Sequence, residues 1–302
     1  MHFELPAPST AFEVALEDGA RIRVRRHGNP HGVRILFTHG NGFAADGYFP
    51  FWRQLLNYDL FVFDFRNHGQ NVRADPPNHV YAQLSRDLER VLRNVESQFG
   101  SKKTVGIFHS MSSRTAQKHA LEIGWRWDAL VLFDPPSVPP RDHPLYDAMV
   151  VFETRLADYA RRRRARFASV DEMTAEYLNS RATRLWVPGV HALMARSVLR
   201  RDAKGEGWRL VCDPENEAGI YEQALTLNFW PKASEFPGPV KLIGADPGIG
   251  PASARANQAL GVENGYDYSF VPGAGHMLQI EKPDACVAEV LAFLSKHGVA
   301  QP

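Results

Sequence analysis

Cysteine is nearly absent from this chain. There are two in 302 residues, Cys212 and Cys286, far apart and at no metal-ligand spacing. That excludes a disulfide framework and points to two reduced thiols in a reducing, cytoplasmic setting. Long apolar runs are missing too. The longest, such as residues 129–133, have strand length, whereas a membrane-crossing helix needs about 20 residues, so no membrane span is expected. Residues 1–8 carry Glu4 and two prolines and no apolar stretch of the signal-peptide kind. No excess of one charge exists either: 35 basic and 34 acidic residues leave a net +1. Such a balance gives no electrostatic reason to expect a nucleic acid or an anionic surface as partner. Neither a cofactor nor a metal is expected, and no internal repeat or low-complexity tract is present.

The composition is otherwise that of a globular protein, 44% hydrophobic and 23% charged, enough to bury a sizeable core. Near the start, Phe12, Val14 and Leu16, then Ile22 and Val24, alternate on either side of Glu17-Asp18-Gly19-Ala20, which predicts a β-hairpin. Further on, residues 33–38 (VRILFT), 60–64 (LFVFD), 104–109 (TVGIFH), 130–133 (LVLF) and 240–243 (VKLI) are short and almost wholly apolar. These suit parallel strands buried on both faces. Helical spacing fills the intervals at residues 82–99, 113–123 and 284–293. Alternating strand and helix predicts an α/β protein with a doubly wound, mostly parallel sheet. The alternation stops at Asp134-Pro135-Pro136 and resumes at Pro237-Gly238-Pro239. Residues 1–135 and 237–302 are therefore read as one core domain, and residues 136–236, helical in pattern, as an insertion. Arg161 to Arg164 form the one charge block, expected on the solvated face of a helix over residues 156–167.

Three segments carry chemistry. In Gly106-Ile-Phe-His-Ser110-Met-Ser-Ser, a strand ends at a serine and a helix follows, the setting of a strained turn that exposes a nucleophile. The turn normally requires small residues two positions either side. Ser112 fits and Phe108 does not. In His39-Gly40-Asn41-Gly42, glycines follow a strand and can aim backbone N–H groups at a developing oxyanion. Asn41, with Gly42 as alternative, and Met111 at the head of the helix after Ser110 are the expected donors. In Gly273-Ala-Gly275-His276-Met277, a glycine-rich loop after the last strand presents an imidazole whose ordinary pKa suits a general base. His68 in Asp64-Phe-Arg-Asn-His-Gly69 is expected to be a turn residue, and His2, His31, His79 and His297 surface residues. The imidazole needs a carboxylate partner. Asp246, beyond the strand at 240–243, is the first choice, and Asp134, ending the strand at 130–133, the alternative.

These motifs, in this order, resemble those of the α/β-hydrolase superfamily over about residues 10–135 and 237–297. The resemblance implies a nucleophile–acid–base order of Ser110, Asp246, His276, with Asp246 two rather than three residues beyond its glycine. It also implies that residues 136–236 are a helical cap, and that Tyr146, Phe152, Tyr159, Tyr177, Trp186 and Trp230 contribute an apolar, aromatic wall. The implied activity is a serine hydrolase acting on a small-molecule substrate, an apolar acyl compound of the carboxylic ester, thioester or lactone type. Cofactor-free haloperoxidase-like or C–C bond hydrolysis uses the same triad and stays open, as does a non-catalytic receptor on the same fold.

Overall fold

The computed structural model of the chain describes residues 3–202 and 205–299. It is built on an eight-stranded sheet. Its strands are β1 (Thr10–Ala15), β2 (Arg21–Gly28), β3 (Arg34–Phe37), β4 (Asp59–Phe63), β5 (Thr104–His109) and β6 (Ala129–Phe133), joined after a long interval by β10 (Val240–Gly244) and β11 (Asp267–Phe270). Their spatial order is β1-β2-β4-β3-β5-β6-β10-β11. The hairpin β1–β2 and the pair β2–β4 are antiparallel, and every other neighbouring pair is parallel.

Side-chain parity along the strands divides the core in two. Ile35, Phe37, Leu60, Val62, Val105, Ile107, Val131 and Phe133 face one layer, which includes α1 (Phe49–Trp52), α9 (Leu278–Glu281) and α10 (Pro283–Lys296). Leu36, Phe61, Phe63, Phe108, Leu130, Leu132 and Leu242 face the other, which includes α2 (Tyr81–Phe99), α3 (Met111–Glu122) and α8 (Ala252–Glu263). Both faces being covered explains why these strands read as unbroken apolar runs.

Between β6 and β10 lie α4 (Tyr146–Arg162), α5 (Val170–Asn179), α6 (Val190–Val198) and α7 (Pro214–Thr226). The segment is not helical alone. β7 (Arg166–Phe167), β8 (Leu199–Arg201) and β9 (Trp208–Leu210) form a small antiparallel sheet, order β7-β9-β8. These strands are two or three residues long, too short to show a period of two. Helix α6 rests on the core, with the Met194 side chain filling the space that a Cβ on Gly47 would need.

The arginine block departs from expectation. Helix α4 ends at Arg162, and Arg161 and Arg164 make exposed ion pairs with Glu215 and Glu222 and with Glu172 and Glu176. Arg163, whose backbone has left the helix, turns inward to pair with buried Glu217. Burial works against its charge, and the Glu217 carboxylate more than offsets that. No helix among the described residues is long and apolar enough to cross a membrane.

Candidate active site

Ser110 stands between β5 and α3 with φ 53° and ψ −118°. A non-glycine residue in this region stores about 1–3 kcal/mol of strain and persists only where its surroundings fix it. Here the Ser110 N–H donates to the Phe133 carbonyl at 2.8 Å. The Ser112 hydroxyl accepts from the His109 N–H and donates to the His109 carbonyl, both at 2.8 Å, closing the turn from the helix side. Phe108 fits because the small residue lies two positions earlier. A Cβ on Gly106 would stand 2.5 Å from the Phe108 ring, so the missing side chain leaves that ring its space, edge-on against Trp127.

His276 brings its Nε2 to 3.1 Å from the Ser110 hydroxyl. Its Nδ1 lies 2.6 Å from the carboxylate of Asp134, not of Asp246. With the proton on Nδ1 donated to Asp134, the lone pair on Nε2 faces Ser110, the tautomer a general base needs. Asp134 is wholly buried. Its other oxygen accepts from the Ala245 N–H at 3.0 Å and from the Asn257 side chain at 2.8 Å. Burial works against protonation of His276, but the hydrogen bond and charge of Asp134, aided by Glu281 and Glu153, raise its pKa above the ordinary value.

The expectation for Asp246 is corrected. Its carboxylate accepts from the Gly248 and Gly273 N–H groups, each at 2.8 Å, and these bonds lower its pKa. It fastens the loop that carries His276 and does not reach the imidazole. Asp134 reaches because it ends β6, the strand next to β5, with a left-handed backbone (φ 41°) that turns the carboxylate inward. From sequence the pointer was an aspartate directly ending an apolar strand, followed by two prolines.

The loop after β3 is braced from several sides. His39 donates from Nδ1 to the Gly40 carbonyl at 2.7 Å, and its Nε2 accepts from the Phe65 N–H. In a trans peptide the N–H opposes the carbonyl, so this bond also sets the direction of the Asn41 N–H. His68, a turn residue as expected, donates to the Arg66 carbonyl and accepts the Gly42 N–H at 3.1 Å. That bond commits the Gly42 N–H, whereas the Asn41 N–H stays available in this loop. Neither the Asn41 nor the Met111 N–H has a protein acceptor among the described residues. Gly40 lacks a side chain where one would collide: its Cβ would stand 2.8 Å from His109 Nδ1 and 3.2 Å from Ser110 Cβ.

A cavity of about 530 Å³ opens over Ser110, Gly40, Asn41 and His276. Phe152, Tyr159, Tyr177 and Trp186 of the inserted segment line it, together with Leu156, Phe167 and Met173, whereas Tyr146 and Trp230 do not. Those two pack elsewhere, Tyr146 near Met149 and Trp230 against His143. The lining also carries charge, Glu153, Arg163, Arg164, Glu176 and Glu217, where the sequence reading places the arginine block on a solvated helix face.

Among the described residues one group, His68, His79 and Cys212, brings metal-ligating atoms within 4.8 Å of one another. Both His68 nitrogens are already engaged by Arg66 and Gly42. His79, expected at the surface, is buried, while His31 and His297 are exposed and His2 lies outside the described residues. Both cysteines are free thiols.

The comparisons agree with this architecture. An E-2-(acetamidomethylene)succinate hydrolase superposes with a TM-score of 0.78 at 14% identity, covering 95% of this chain and 99% of the other. A thioesterase domain from the curacin biosynthetic pathway gives 0.66 at 18%, covering 94% and 100%. An N-formylmaleamic acid deformylase from Pseudomonas putida S16 gives 0.60 at 18%, covering 93% and 100%. No curated protein sequence matches the chain. The model of the alpha/beta hydrolase family matches residues 35–289, most of the chain, and the chain belongs to that family.

Proposed function

We propose that the chain is a serine hydrolase that cleaves a carboxylic ester, thioester or lactone through an acyl-enzyme on Ser110. The observation that carries this reading is the continuous hydrogen-bonded line Ser110–His276–Asp134, with Nε2 at 3.1 Å from the hydroxyl and Nδ1 at 2.6 Å from the carboxylate. In this reading the Ser110 hydroxyl attacks the acyl carbon while His276 takes its proton. Asp134 holds the tautomer and stabilises the imidazolium. The Asn41 and Met111 N–H groups receive the oxyanion, a service worth about 10²–10³ in rate per donor. The imidazolium then protonates the leaving group. Water, activated by the same imidazole, releases the acid and restores the serine.

The wall supports the choice of an apolar acyl group. Phe152, Leu156, Phe167 and Trp186 line the space above Ser110 and keep water from the reacting carbonyl. The test is labelling with a fluorophosphonate probe together with turnover of chromogenic esters of graded acyl length. Covalent mass gain on Ser110, absent in Ser110→Ala, is the expected result. Wild-type turnover in a folded Ser110→Ala protein would overturn it.

A further inference from the structure

Glu153 lies within α4 and is 1% exposed. Its carboxyl is unusual in this molecule. Other deeply buried carboxylates have dedicated partners: Asp59 has Arg26 and Lys102, Asp87 has Arg66, Asp134 has His276, and Glu217 has Arg163. Glu153 has none. Its Oε2 is buried without a hydrogen-bond partner, and it takes part in no ion pair among the described residues. A polar group left in this state costs free energy that folding does not recover, and in a native protein it calls for a reason. Glu153 lines the cavity that holds Ser110 and His276. Two further buried hydroxyls without partners, on Tyr177 and Ser253, line that cavity as well.

We propose that Glu153 determines specificity by hydrogen-bonding a neutral polar group, an amide or a hydroxyl, carried by the substrate at a distance from its scissile carbonyl. The inference rests on the acyl-hydrolase reading above. The charges nearby narrow the ligand. Arg163 and Arg164 also line the cavity, but Glu217 pairs the first and Glu172 and Glu176 the second, so neither offers a substrate carboxylate an unpaired cation. A substrate carboxylate would meet like charge wherever Glu153 is ionised, and an ammonium would find no counter-ion in its acid form. A neutral group that both donates and accepts suits the Glu153 carboxyl and the partnerless Tyr177 and Ser253 hydroxyls of the same cavity. Burial pushes the Glu153 carboxyl up to about 7, against the opposing pull of Arg114 and His276, so near neutrality its acid form is available to donate and accept together. An unbroken alkyl chain would leave the carboxyl unpaired, and a site built to hydrogen-bond its substrate discriminates strongly against the analogue that lacks the group.

The experiment compares two 4-nitrophenyl esters of equal chain length, pentanoate and N-acetylglycinate, in wild type, Glu153→Gln and Glu153→Leu. Glutamine keeps a donor and an acceptor, and leucine keeps neither. Fluorophosphonate labelling of Ser110 reports whether each variant retains an intact site. Expected is a wild-type preference in kcat/KM for the amide-bearing ester over pentanoate, a ratio largely kept by Glu153→Gln and reduced at least tenfold by Glu153→Leu. An equal effect on both esters, or no wild-type preference, overturns the role of Glu153. Absence of labelling and of turnover of both esters in wild type overturns the hydrolase reading itself, and this inference with it. Should Glu153→Leu fail to label, Glu153→Gln decides alone: loss of the preference in that variant refutes pairing with a neutral group.

Discussion

His109 donates from Nε2 to the backbone carbonyl of His276 at 2.8 Å. Its Nδ1 accepts from the Tyr48 hydroxyl at 2.8 Å, and that oxygen accepts the Gly40 N–H at 3.2 Å. One buried line of bonds thus ties the serine turn to the loop after β3 and to the loop carrying His276. Burial, with the neighbouring His276 charge, lowers the pKa of His109 well below the ordinary value, so it remains neutral and keeps both roles. His109→Phe fills the space without the bonds and leaves the His276 carbonyl without its donor and the Tyr48 O–H without its acceptor. The expected loss is about 1–3 kcal/mol, spread over stability and positioning. Steady-state kinetics should show kcat falling about tenfold or more with KM little moved. An unchanged kcat in a folded variant would show that His276 is held without this brace.

Asp134 and Asp246 separate cleanly by mutation. Asp134→Asn removes the charge that stabilises the imidazolium and permits the wrong tautomer, a change that costs about 10⁴ in kcat in a comparable triad. Asp246→Asn retains an oxygen to accept one of its two loop N–H bonds, so its effect on kcat should be far smaller. Measured kcat values in the opposite order would return the acid role to Asp246.

This pair also shows where sequence reasoning stops. The sheet was legible because both its faces are covered, which makes apolar runs such as residues 104–109 and 129–133 stand out. Ser110, His276 and the loop at Asn41 were legible because glycines and a strand-to-helix switch surround them. The acid was not, since Asp134 and Asp246 each follow a strand. The deciding facts are the left-handed turn at Asp134, the reach of Asn257 from α8, and the use of Asp246 by Gly248 and Gly273. Glu153 and Arg163 were hidden for another reason. Helical periodicity says which face of α4 is apolar, but not that a charged residue is buried against a cavity.

The raised pKa of His276 fixes the sign of two pH effects. As a base it must be neutral, so the acid limb of kcat/KM should have its midpoint above the ordinary histidine value of about 6.5. Asp134→Asn should move that midpoint down. Stability runs the other way. The folded pKa exceeds the unfolded one, so the contribution of protonated His276 is fully present below about pH 6.5 and is lost as pH rises through the folded value. Both profiles are best recorded in a Glu153→Gln background, because the Glu153 carboxyl titrates near 7 in the same cavity. An acid limb below pH 6 in that background would contradict the Asp134 bond.

The inserted segment holds the loop after β3 as well as walling the cavity, and this changes what its removal should do. The Asn41 side chain donates from Nδ2 to the Glu217 carbonyl on α7 at 2.8 Å. The Glu217 carboxyl lies against Gly42, where a Cβ would stand 2.5 Å from its carbon, and Arg163 fixes that carboxyl from the end of α4. Residues 136–236 therefore reach the residue whose N–H is proposed to receive the oxyanion, and replacing them with a short linker should lower kcat for every ester as well as altering acyl preference. Asn41→Ala isolates the tie, since alanine retains the backbone N–H and loses only the side-chain bond. One such bond is worth about 0.5–1.5 kcal/mol, so kcat should fall roughly two- to tenfold, evenly across acyl lengths, with KM nearly constant. A change confined to KM, or one that varies with acyl length, would assign Asn41 to substrate contact instead. A linker variant that keeps full kcat on a small acetate ester would show that the loop holds its shape without α7.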